Sequence, residues 1–152
     1  MEEIFFVNEI NKMIDILDSK GLVVKGCDEH QILNLEDKYG QLPRYYKIYL
    51  SLIGADSGDF RKGTDILFKD IDDINEWTIE LMQENHIKLP DKMFSFSLHQ
   101  GYSALFFVDR NDDDPYVYCY TEGDEIKKTE YVFSEYILAE VDLYKKYQCN
   151  SL

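Results

Sequence analysis

Between Asp109 and Asp114 the chain reads Asp-Arg-Asn-Asp-Asp-Asp, which puts side-chain oxygens at the first, third and fifth positions, as an EF-hand calcium loop does. The pattern then breaks. The sixth position, which needs glycine for the sharp turn, is Asp114, Pro115 follows, and the twelfth-position carboxylate is replaced by Tyr120. A solvated hairpin turn is the better reading. Zinc would require imidazoles or thiolates converging on one point, yet His30, His86 and His99 fall on separate elements with no HExxH or CxxC spacing. Cys27 and His30 lie together at a helix start, where free amides favour a thiolate, but a structural cysteine beside an exposed histidine is the commoner arrangement. There is no G-x-S-x-G elbow and no phosphate-cradling glycine loop with its lysine. No catalytic residue, metal ligand or cofactor is assigned.

What stands out is acidity. From Asp109 to Glu125 seven acids (Asp109, Asp112, Asp113, Asp114, Glu122, Asp124, Glu125) face one base, Arg110, across two consecutive turns at the two ends of one strand. The loop after the third helix adds Asp56, Asp59 and Asp65. Over all 152 residues, 30 acidic side chains against 16 basic give a formal charge of -14. That balance argues against direct binding to a phosphate backbone, which needs clustered Lys and Arg, and it leaves a basic protein as a natural partner. On charge alone, an ordinary solubilising surface is the better reading.

The elements that position these groups follow from hydrophobic period. Ile4, Val7, Ile10, Ile14 and Leu17 form a helical stripe stopped at Gly21. Asp28 caps a second helix running to Tyr39, and Pro43 starts a third that ends at Gly54. Gly54 to Gly63 reads as a loop, Asp65 to Phe68 as a short strand, and Asp72 or Asp73 as the cap of a helix reaching Asn85, with Ile74, Trp77, Leu81 and Met82 inward. The period then drops to two. Phe94 to Leu98 alternates with serines, Ser103 to Asp109 is a buried central strand, and Tyr116 to Tyr120 and Glu125 to Val132 follow across turns. Ser134 caps a terminal helix carrying Ile137, Leu138, Val141 and Tyr144. Aromatics at these spacings, including the tyrosines of the third helix, read as core.

The expected architecture is therefore α+β, an antiparallel meander flanked by N-terminal helices and a C-terminal helix, in one domain over residues 1–152. Met1-Glu2-Glu3 has no basic leader and the longest apolar run, Ala104 to Val108, is far short of a membrane span. Three cysteines, Cys27, Cys119 and Cys149, fit a reducing compartment better than a disulfide framework. A cytoplasmic protein without membrane contact is expected, of undetermined oligomeric state.

Leu35-Glu36, Tyr39-Gly40, Leu42-Pro43, Tyr46, Tyr49-Leu50 and Gly54 together resemble the signature of the SUKH superfamily. That group contains the yeast cell-wall-assembly regulator domain and many bacterial immunity proteins. The strand pairs of Phe94 to Val108 and Tyr116 to Tyr118, and the helix entry Phe133-Ser134-Glu135-Tyr136-Ile137, continue the likeness from about Asp28 to Tyr144. The sequence departs from the pattern at Gly54-Ala55, where paired glycines are frequent. The resemblance implies a non-enzymatic protein that neutralises a cognate toxin, many such toxins being nucleases with basic substrate grooves. Asp56, Asp59, Asp109, Asp112, Asp113 and Asp114 are then the expected partner contacts. The alternative is a regulatory or scaffold module that binds a host protein.

Overall fold

The computed structural model describes the backbone of residues 1–150 and the side chains through Gln148, so Cys149 lies outside the described side chains. Helices α1 (Glu3–Ser19), α2 (Glu29–Tyr39) and α3 (Arg44–Ile53) open the chain, with β1 (Val24–Lys25) between the first two. Strands β2 (Asp56–Ser57) and β3 (Thr64–Asp65) precede a 3-10 turn at Phe68–Asp70 and α4 (Ile71–Glu84). Then come β4 (Phe94–His99), β5 (Ser103–Phe107), β6 (Tyr116–Thr121), β7 (Lys127–Val132) and α5 (Phe133–Asn150).

The α+β expectation holds. One antiparallel sheet has the order β3-β4-β5-β6-β7, and a second small ladder pairs β1 with β2. The large sheet has helices on both faces. Phe94, Phe96, Phe107 and Val117 face a core shared with α1, α3 and α5, whereas Phe106 and Tyr120 pack with Leu81 and Met82 of α4. Phe133, the first residue of α5, is fully buried within ring-contact distance of Phe6, Tyr46, Tyr49, Phe96 and Phe107, at centroid separations from 5.3 to 6.5 Å. Edge-to-face pairs of this kind add roughly 0.5–1.5 kcal/mol each beyond burial.

Several helix signals hold in detail. Asp28 accepts the Gln31 amide at 2.8 Å while the Gln31 side chain accepts the Asp28 amide at 2.9 Å, a complete capping box. Gly21 takes φ +73° after α1. Glu36 accepts the Leu42 amide at 3.0 Å, tying α2 to the entry of α3, and a Cβ on Gly54 would lie 2.6 Å from the Leu50 Cα. Glu36, Leu42, Leu50 and Gly54 thus shape the entry and exit of α3.

Several expectations need correction. The short strand is Thr64–Asp65, with Phe68 in the 3-10 turn, and α4 starts at Ile71, so Asp72 and Asp73 lie inside its first turn and do not cap it. The buried stripe of α1 is Phe6, Ile10, Met13 and Leu17, and Ile4 is 73% exposed. Two apolar stripes overlap in that helix, and the one carrying the large Phe6 ring against Tyr45 wins the core. The Gly54–Gly63 segment is not all loop, since Asp56 pairs with Lys25 and Ser57 with Val24. A register shift between Ser95 and Ser97 breaks the alternation of β4, moving Leu98 onto the face of Ile74 in α4. Trp77 is not in the core but 53% exposed. The inner face of α4 is centred on Ile71, Asn75, Thr78 and Met82 instead.

Polar side chains sit at that inner face because they bind β4. Asn75 Nδ2 donates to the Ser95 carbonyl at 2.9 Å, and the Ser95 amide donates to Asn75 Oδ1 at 2.8 Å. Thr78 Oγ1 donates to the Ile74 carbonyl at 2.7 Å and lies 3.0 Å from Ser95 Oγ. Buried polar groups satisfied this way fix one helix-to-sheet register.

Candidate functional site

The turn from Asp109 to Pro115 joins β5 to β6 and is held by three neighbouring elements. Arg110 donates to the Tyr39 carbonyl at 2.5 Å at the end of α2. The Tyr45 amide of α3 donates to the Asp113 carbonyl at 3.0 Å, and the Phe133 amide of α5 donates to the Pro115 carbonyl at 2.9 Å. Within the turn, Asp112 accepts the Asp114 amide at 2.9 Å. Burial lowers the Arg110 pKa, and its guanidinium is spent on a carbonyl instead of on the neighbouring carboxylates. Asp109, Asp112 and Asp113 are left exposed on a braced backbone. Beside them lies a cleft of about 600 Å³ lined by Gln41, Lys92, Val108, Arg110 and Asn111 as well as Asp109 and Asp112.

Asp114 has a different position. It is half-buried and accepts both the Ser134 amide at 2.9 Å and the Ser134 hydroxyl at 2.5 Å. Burial raises its pKa against the lowering effect of those two hydrogen bonds. The helix cap expected at Ser134 is therefore supplied by Asp114 from across the sequence, with Ser134 already inside the first turn of α5. A carboxylate there also meets the positive end of the helix.

Asp56 and Asp59 lie at the far end of α1. Lys20, just past that helix, reaches Asp59 at 2.9 Å, and Tyr144 of α5 donates to Asp59 at 2.5 Å. Burial opposes ionisation of Asp59, but the hydrogen bonds from Tyr144 and Lys20 outweigh it and hold the carboxyl below its usual range. Asp56 accepts the Gly58 amide at 3.2 Å and is half-buried in β2. Near the other end, Tyr45 binds both the acidic turn and the Met1 carbonyl. Seventeen helical residues span about 25 Å, so the six carboxylates fall into two separate groups. Asp109, Asp112, Asp113 and Asp114 form one group, and Asp56 and Asp59 the other.

The second acidic turn is drawn elsewhere. The Glu122 amide donates to the Tyr102 carbonyl at 2.8 Å, placing Glu122 beside the β4–β5 turn and the outer face of α4. That face exposes Asp72, Asp73, Glu76, Trp77, Glu80 and Glu84. Asp73, Trp77, Glu80 and Glu84 follow at steps of four, three and four, which is one side of a helix. This spacing was the available signal for an exposed acidic face. The apolar spacing of Ile74, Trp77 and Leu81 hid it.

The remaining chemistry is quiet. Cys27 is buried, its thiol pushed up to about 11 by burial and then by Asp28, which disfavours a thiolate. Cys27 and Cys119 are both free thiols. His30 and His86 are exposed, and His99 Nδ1 lies 2.8 Å from Thr64 Oγ1. Among the described residues no cluster of His, Cys, Asp and Glu is arranged to hold a metal ion, and no helix is long and apolar enough to cross a membrane. The tyrosines of α3 are buried as core, Tyr46 and Tyr49 completely. No protein-family model and no curated protein matches this chain.

Proposed function

We propose that this protein is a non-enzymatic binder of the immunity type, which neutralises a toxin domain by covering a basic surface, such as the substrate groove of a nuclease. The observation that carries the reading is the braced turn with Asp109, Asp112 and Asp113 exposed and Arg110 tied to the Tyr39 carbonyl. A backbone braced in advance needs little ordering on association, and the carboxylates it carries can occupy positions where a nucleic acid would place phosphates. A net charge of -14 would also speed the encounter with a basic partner at low salt. Asp59 and Asp114 already have internal partners and would contribute mainly by holding the scaffold.

The direct test is coexpression with the product of a neighbouring toxin-like gene, read as growth rescue and as copurification at two salt concentrations. The triple variant Asp109→Asn/Asp112→Asn/Asp113→Asn should fold normally, lose at least tenfold in affinity and lose most of its salt dependence. Unchanged rescue and affinity would remove the turn from the interface. Absence of any rescue by folded wild-type protein would favour the regulatory or scaffold reading.

A further inference from the structure

Trp77 is the only tryptophan in the chain, and it stands on the surface of α4 as a ridge between three clefts of about 310, 220 and 390 Å³. Their walls carry Asp65, Asp73, Glu76, Glu80, Glu84 and Glu122, with no Lys, Arg or His among the lining residues. The indole is fixed in place. Its Nε1 donates to the Gly101 carbonyl at 3.2 Å, and a Cβ on Gly101 would lie 3.0 Å from that same nitrogen. Gln100 and Gly101, at φ +50° and +76°, form the tight turn that brings this carbonyl to the ring. Leu98 and Leu81 floor the clefts on either side.

A half-exposed tryptophan held rigid by a hydrogen bond has the attributes of an interface hot spot, because little rotamer freedom is left to lose on binding. Its surroundings select the occupant. A guanidinium stacked on the indole gains a cation–π contact, more so once desolvated, while the carboxylates to either side accept its N–H groups. A second copy of the same chain would instead bring an identical acidic face against it, and like charges there repel.

We propose that the Trp77 ridge is a docking site for an arginine-rich segment of a partner protein, with one arginine stacked on the indole between Asp73 and Glu80. This surface is distinct from the acidic turn. Gly101 and Asp109 lie near opposite ends of β5, whose five residues span about 17 Å. Its test needs no toxin.

Titration of the full chain with acetyl-hexa-arginine amide should give a saturable change in indole emission, excited selectively over the tyrosines so that it can come only from Trp77. Calorimetry should show affinity falling at least tenfold in Trp77→Ala. It should fall similarly in Glu80→Gln/Glu84→Gln, which keeps the ring and guards against misreading a packing defect. The triple variant of Asp109, Asp112 and Asp113 should bind within twofold of wild type, and acetyl-hexa-glutamine amide should not bind. The proposal is overturned if Trp77→Ala binds within twofold of wild type, if the glutamine peptide binds as well as the arginine peptide, or if only the turn variant loses binding. Because the toxin assay reads the turn and the peptide assay reads the ridge, either conclusion can fail alone.

Discussion

Replacing Asn75 with leucine tests whether the buried polar seam positions α4 and hence the Trp77 ridge. Asn75 bonds both the amide and the carbonyl of Ser95, at 2.8 and 2.9 Å, and its Nδ2 also lies 2.9 Å from the Ile71 carbonyl. Leucine has similar bulk but neither donor nor acceptor, so two backbone groups of β4 would lose their side-chain partner in a buried site. Each such group costs about 1–3 kcal/mol. Burying the added apolar surface returns about 1–2 kcal/mol, leaving a net loss centred on about 2.5 kcal/mol. For a domain of this size each kcal/mol shifts Tm by about 2–4 °C, so a fall of about 5–10 °C is expected. Urea unfolding followed by far-UV circular dichroism should show a lower midpoint with little change in slope. The companion Asn75→Asp, which keeps acceptors but buries a charge, should be at least as unstable. A leucine variant within about 1 kcal/mol of wild type would refute the assignment of register to this seam.

Four further expectations can be checked on the purified protein. Asp114→Ala should destabilise by about 1–2 kcal/mol through loss of the α5 cap, and Asp114→Asn, which keeps an acceptor for Ser134, by less than half of that, both read by chemical denaturation. Asp59 has a folded pKa below its unfolded one, so its contribution is present above about pH 4 and is lost as the pH falls through the depressed value; Asp59→Asn should flatten the acid limb of the stability curve. Asp114 has the opposite sign: its raised folded pKa makes stability decline as the pH rises from its unfolded pKa through the folded value, and Asp114→Asn should abolish that decline. In native protein a thiol reagent should label Cys119 well before buried Cys27, and peptide mapping by mass spectrometry would reveal the reverse order if the burial argument is wrong.

The elements legible in the sequence were those whose signals are local. The Asp28–Gln31 capping box, the positive-φ stop at Gly21 and the hairpins of β4 to β7 all follow from residues within a few positions of one another. What stayed hidden depends on a distant partner. β1 and β2 are two residues each, too short to show a period, and exist because Val24 and Lys25 meet Ser57 and Asp56. Which stripe of α1 is inward is decided by Tyr45 and Phe133. Trp77 looked like core because Asn75 and Thr78, the true inner residues of α4, are polar until β4 supplies their partners. The candidate site was half legible for the same reason. Acidity is additive along the chain, whereas the separation of Asp59 from Asp109, and the diversion of Asp114 to α5, are set by packing.

The location of Phe133 also governs the order of events during synthesis. Phe6, Tyr46, Tyr49, Phe96 and Phe107 leave the ribosome earlier, yet the ring that all five touch opens the last helix. Contacts so widely spaced along the chain make collapse slow, and until they form the cluster lacks the one ring that joins all five aromatics. Synthesis of the start of α5 is thus the step that completes this core.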